Sequence, residues 1–82
     1  MDADRILIWK MKHGDTDAVA EFVKKYYSTI LQYVRLRVMD HYLAEDLTQE
    51  PFTRFFLYLD EYRHYGKVMN YLYVIAGNLC KD

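Results

Sequence analysis

Eighty-two residues with a formal net charge of −1 make at most one domain, and at this length only about 60% of the unfolded surface is buried, so the core is thin. Apolar residues are 52% and charged residues 28%, with three Gly and one Pro, which suits a folded domain but lacks the turn chemistry of an all-β one. The one cysteine, Cys80, cannot close a disulfide within the chain, no Cys/His spacing resembles a zinc site and no cofactor motif is present, so a reducing cytoplasm is the expected compartment.

The elements in chain order are helical. Asp2 or Asp4 caps a first short helix carrying Ile6, Leu7, Trp9 and Met11, which ends near His13 before Gly14. Acidic and basic residues flank that apolar stretch, so it resembles neither a signal peptide nor a membrane span. Asp15 caps a second helix from Thr16 to Met39, with Val19, Phe22, Val23, Tyr26, Ile30, Val34 and Val38 at spacings of three and four.

Asp40 is the next cap. Leu43, Leu47, Phe55 and Leu59 mark the stripe of a third helix of about 20 residues, widened by Phe52, Phe56 and Tyr58. Pro51 removes a backbone donor and crowds the carbonyl of Leu47, so this helix either bends or starts later. The segment Tyr62–Gly66 breaks the pattern, and Val68, Leu72, Ile75 and Leu79 restart it up to Asp82 as a last helix that looks cut short. Four helices on short connections give an all-α fold, a small bundle.

Charge is segregated along the chain. Residues 1–40 carry seven basic and six acidic groups (+1), 41–61 one and five (−4), and 62–82 three and one (+2). In the acidic block Glu45, Asp46, Gln49 and Glu50 fall on one helix face beside Leu43 and Leu47, a pattern fit to receive a partner's Lys or Arg around an apolar centre. In the last block Tyr62, His64, Tyr65, Tyr71 and Tyr73 mingle with Arg63, Lys67, Asn70 and Asn78. Exposed rings stack on unpaired bases, cations follow phosphates, and amides read base edges. About half of these five rings are expected in the core instead. His13, His41 and His64 are read as surface or cap residues, Cys80 as a small helix residue and Trp9 as a core or edge anchor. No nucleophile–base pair, phosphate-binding Gly loop or metal constellation indicates an enzyme.

AEDLTQEPFTRFF (Ala44 to Phe56) and NYLYVIAGNLCKD (Asn70 to Asp82), preceded by HGDTDAVAEFVKKYYSTILQYV, resemble region 2 of the sigma-seventy family of RNA polymerase sigma factors, in particular its extracytoplasmic-function type. The resemblance implies a non-enzymatic transcription initiation domain. Asp46, Gln49 and Glu50, flanked by Leu47, Phe52 and Arg54, would dock on the clamp helices, the coiled coil of the polymerase beta-prime subunit. Tyr62, Arg63, His64, Tyr65 and Lys67 would form a loop that captures a flipped base of the non-template minus-ten strand, with Asn70, Tyr71 and Asn78 contacting its neighbours. Tyr71 stands where the family commonly has Trp, Pro51 where it has an aliphatic residue or Thr, and Gly77 where it often has Arg. The family's minus-thirty-five-reading domain has no counterpart here, so a fragment is expected. The competing expectation is a helical interaction module, sequestering a regulator or held by an anti-sigma factor, without DNA contact.

Overall fold

The computed structural model describes residues 2–81; Met1 and Asp82, up to which the last helix was expected to run, lie outside them. Four helices follow in order, α1 (Ala3–Lys12), α2 (Thr16–Arg35), α3 (His41–Leu57) and α4 (Val68–Leu79), with a 3-10 turn at Leu59–Glu61. No strand occurs among the described residues, and the expectation of a small all-α bundle holds.

Three aspartates start three helices. Asp15 accepts from the backbone N–H of Ala18, and Asp40 from those of Tyr42 and Leu43, each satisfying donors that the first helical turn leaves open. Of the two residues able to cap α1, Asp2 does so, accepting from Asp4 N–H at 2.9 Å. Asp4 is left to take Lys25 Nζ at 2.7 Å and the Tyr26 hydroxyl, fastening α1 to α2.

α2 is the central helix, packed against α1, α3 and α4. Its buried residues Ala18, Phe22, Tyr26, Ile30 and Val34 recur every four positions. Phe22 is fully buried and stacks on Phe55 of α3, ring centroids 4.9 Å apart and nearly parallel. Leu7, Ile8 and Met11 of α1 and Val68, Leu72 and Ala76 of α4 complete the core.

α2 ends at Arg35, four residues before the expected Met39. Asp40 must adopt extended backbone to cap α3, so the chain leaves the helix early enough for residues 36–39 to make the connection. α3 begins after Asp40 as expected but spans 17 residues, and Leu59 falls in the 3-10 turn. Pro51 neither delays nor interrupts it: the backbone is helical from His41 to Leu57, and the fully buried ring packs in the core.

The inner face of α3 also differs from the expected stripe. Ala44, Thr48, Pro51, Phe52 and Phe55 are buried, whereas Leu43 is 47% exposed. Phe52 and Phe55 lie on the inner face as expected, while in the first half of the helix Ala44 and Thr48 take the innermost positions in place of Leu43 and Leu47. Phe52 and Phe55 are the large residues of this face, and Ala44 and Thr48 the small ones. Thr48 has no exposure and its hydroxyl donates to the Ala44 carbonyl at 2.7 Å, so its burial leaves no unpaired polar atom.

Candidate functional site

The surface of α3 opposite its buried stripe carries a straight row of exposed side chains, Tyr42, Asp46, Gln49, Thr53 and Leu57, at spacings of four, three, four and four. Asp46 and Gln49, both singled out by sequence, lie at its centre, and no salt bridge engages Asp46 among the described residues. Glu50 and Arg54 flank the row and pair with each other at 3.0 Å. Leu47 is half-buried beside them. Phe52 belongs to the core instead: it is 4% exposed, edge-on to Phe22 at 6.3 Å and tilted against Tyr27 at 6.0 Å. It anchors the face rather than presenting a ring on it.

Sequence reasoning missed Tyr42 (79% exposed) and Leu57 (71% exposed), the apolar ends of the row. The signal was present. Once Ala44 and Thr48 are taken as the inner face, the residues half a turn away follow from helical geometry.

The second surface begins where α3 ends. Tyr62 turns inward, its ring edge-on to Phe55 at 5.0 Å and to Tyr71 at 5.3 Å. Burial pushes its pKa up, with the Asp4 carboxylate adding to the effect. The Tyr62 hydroxyl meets Nδ1 of His64 at 3.2 Å, while Nε2 of His64 lies 2.6 Å from Asp2 Oδ2. The two contacts hold the ring between Tyr62 and Asp2. His64, expected on the surface, is therefore a tether with a side chain only 5% exposed. The bond from His64, and then that from the Asp4 backbone N–H, hold the Asp2 carboxyl below the usual carboxylate range.

Two further bonds tie the loop to α1. Lys12 Nζ donates to the Tyr62 carbonyl at 2.6 Å, and Arg5 Nη2 to the His64 carbonyl at 3.3 Å. Gly66 follows at φ +81°, a left-handed turn that residues with a Cβ rarely adopt. With Tyr62 and His64 facing in, the loop presents Arg63, Tyr65 and Lys67 to solvent, and Tyr65 is 78% exposed.

α4 continues this surface through Asn70 and Asn78, both exposed, and Tyr71, 36% exposed with one edge on Phe55 and Tyr62. Tyr73 points away and packs on Tyr33 of α2 at 4.9 Å. Trp9, expected in the core or at its edge, is 60% exposed and stacks on His13 at 4.0 Å. It shares a hollow of ≈ 430 Å³ with Tyr65, Arg5, Lys12 and Arg63, whose rim also carries Asp60 and Glu61. Cys80 is a half-buried free thiol at the end of α4. No group of His, Cys, Asp and Glu able to hold a metal occurs among the described residues. None of their helices is long and apolar enough to cross a membrane.

The domain is all-α and carries two chemically distinct surfaces, an acidic and apolar row on one helix and an aromatic and basic loop tethered to α1. The chain belongs to the sigma-70 region 2 family, whose profile matches residues 22–82. It is a transcription initiation factor domain. Among curated proteins it is similar to the ECF RNA polymerase sigma factor SigW of Bacillus subtilis, 36% identical over 75 residues that cover 92% of this chain and 40% of the relative. It is also similar to the ECF RNA polymerase sigma factor BldN of Streptomyces coelicolor, 31% identical over 77 residues that cover 93% of this chain and 29% of the relative. The chain thus spans less than half the length of either relative. No solved structure matches it significantly.

Proposed function

We propose that this domain docks through the outer row of α3 on the clamp helices of the RNA polymerase beta-prime subunit and holds the non-template strand of an opened minus-ten element on the loop and α4. The observation that carries the reading is the row itself: Asp46 and Gln49 exposed between Tyr42 and Leu57, with Glu50 and Arg54 alongside. Carboxylate and amide groups receive cationic side chains with charge-assisted bonds, and the exposed tyrosine and leucine supply area that loses water on docking.

On the second surface, Tyr65 offers a ring for stacking, worth about 1–3 kcal/mol per base, while Arg63 and Lys67 supply positive charge for phosphates. Asn70 and Asn78 extend the strand contacts along α4. The domain performs no chemistry in this reading; stacking and docking offset the cost of unpairing the promoter.

Retention of the full chain on the isolated beta-prime coiled coil tests the docking. Asp46→Ala combined with Gln49→Ala is expected to lower retention at least tenfold, equivalent to about 1.4 kcal/mol. Retention equal to that of the unsubstituted chain sinks the assignment. A second reading, capture by an anti-sigma factor without DNA contact, is favoured by Leu36 (85% exposed) and Met39 (101% exposed) at the α2–α3 connection, which the first reading leaves unused.

A further inference from the structure

We propose that the strand path continues off α4 onto the start of the α2–α3 connection, where Arg37 is a preset phosphate contact seated by Tyr33 of α2 and Gly77 of α4; this rests on the reading of the loop and α4 as a strand-holding surface. Lys67, Asn70, Val74, Asn78 and Lys81 are exposed at spacings of three, four, four and three, forming a row along the outer side of α4 that starts at the loop. Over the 12 residues of α4 the row runs about 18 Å. At its far end a hollow of ≈ 560 Å³ opens between α4 and the end of α2, lined by Tyr33, Arg37, Tyr73, Gly77, Asn78 and Lys81 among others. No carboxylate lines it among the described residues.

Arg37 is held in place before any ligand arrives. Its guanidinium carbon sits 3.7 Å from the centre of the Tyr33 ring, and Nη1 donates to the Tyr33 carbonyl at 2.9 Å. No acidic side chain pairs with it among the described residues. An arginine has five N–H donors, so subtracting this one bond leaves four for a ligand. A planar cation already fixed on a ring loses little further freedom on binding, and its fork matches phosphate oxygens.

The seat explains Gly77. A Cβ at that position would lie 2.9 Å from the Tyr33 hydroxyl oxygen, closer than such atoms approach. Glycine in a helix interior costs about 1 kcal/mol relative to alanine, and here it makes room for the ring that carries Arg37. The partner chemistry is the backbone of a single nucleic-acid strand arriving from the loop along the α4 row, with Lys81 and Asn78 as further contacts.

The test is a fluorescence-anisotropy titration of the full chain with a labelled single-stranded oligonucleotide at several salt concentrations. Arg37→Met, which keeps the stem on the ring, is expected to weaken binding about fivefold for unrelated sequences alike and to reduce the log–log salt slope by about 0.7, the loss of one single-strand phosphate contact. Gly77→Ala is expected to weaken binding by displacing Tyr33 while circular dichroism shows the helices intact, and adding Tyr33→Phe is expected to restore it. Arg37→Met that leaves affinity and slope unchanged, while Tyr65→Ala still weakens binding, overturns the inference and leaves the loop reading standing. Salt-independent or absent binding by the unsubstituted chain overturns both. An Arg37 effect confined to duplex DNA overturns the single-strand path.

Discussion

Pro51→Ala decides whether the proline in α3 is a defect or a packing element. An interior proline costs a helix about 3 kcal/mol relative to alanine, because a backbone donor is missing and the ring crowds the preceding turn. Against that gain, the Pro51 ring is fully buried, and alanine removes two of its carbons from the core. At about 0.8 kcal/mol per buried methylene, plus a cavity that collapses only partly, the loss comes to about 2 kcal/mol. The net expectation is stabilisation by about 1 kcal/mol, which in a domain of this size raises the melting temperature by ~4–8 °C. Thermal and urea unfolding followed by far-ultraviolet circular dichroism measure it. Pro51 and Asp46 are five residues apart, about 140° around the helix, so retention on the beta-prime coiled coil should not change. A melting temperature below that of the unsubstituted chain refutes the reasoning, for it means that the ring's packing outweighs the hydrogen bond and turn it disrupts.

Tyr65→Ala should weaken single-strand binding by about 1–3 kcal/mol, the stacking contribution of one ring, without lowering the melting temperature, since Tyr65 is 78% exposed; a drop in melting temperature contradicts this. Asp2 has a depressed carboxyl pKa, so its bond to His64 stabilises the folded loop above the usual carboxylate range and is lost as pH falls through the folded value. Amide exchange of residues 62–66 should therefore accelerate in acid before that of α2, and Asp2→Asn should flatten the dependence. Tyr26 lies at the opposite extreme: burial first, and the Asp4 bond second, push its hydroxyl to about 12. The raised value stabilises the fold below the ordinary tyrosine pKa, and the contribution disappears as pH rises through about 12. Ultraviolet titration should show Tyr26 among the last tyrosines to ionise, and Tyr26→Phe should remove that late component.

What the sequence revealed and what it concealed divide by range of interaction. Caps at Asp15 and Asp40 were legible because an N-cap acts on donors two or three residues away. The α2 stripe was legible because one clean row of four-residue spacings runs through Phe22, Tyr26, Ile30 and Val34. α3 was harder, since Leu43, Leu47, Phe52, Phe55, Phe56 and Leu57 leave large apolar groups on almost every side. Its inner face is Ala44, Thr48, Pro51, Phe52 and Phe55, and the choice among those sides depends on the neighbouring helices, which spacing within α3 does not show. The α1–loop tethers join residues 50 to 62 positions apart, and no local pattern announces them.

Those tethers also explain why the loop's two kinds of aromatic residue behave so differently. Tyr62 and His64 alternate with Arg63 and Tyr65, so a segment pinned by its even-numbered side chains and carbonyls must turn the odd-numbered ones outward. Tyr62 is fixed from within by Phe55 and Tyr71, and its carbonyl is fixed from α1 by Lys12. His64 is fixed by Asp2 through its ring and by Arg5 through its carbonyl. Apart from Tyr62 these restraints are polar and lie near the surface, so the loop's geometry depends on α1 being docked through Leu7, Ile8 and Met11 more than on burial of the loop itself. The N-terminal helix, from which sequence reasoning assigned no site residue, thus has a physical role: with its cap residue it pins the loop so that Arg63 and Tyr65 face solvent.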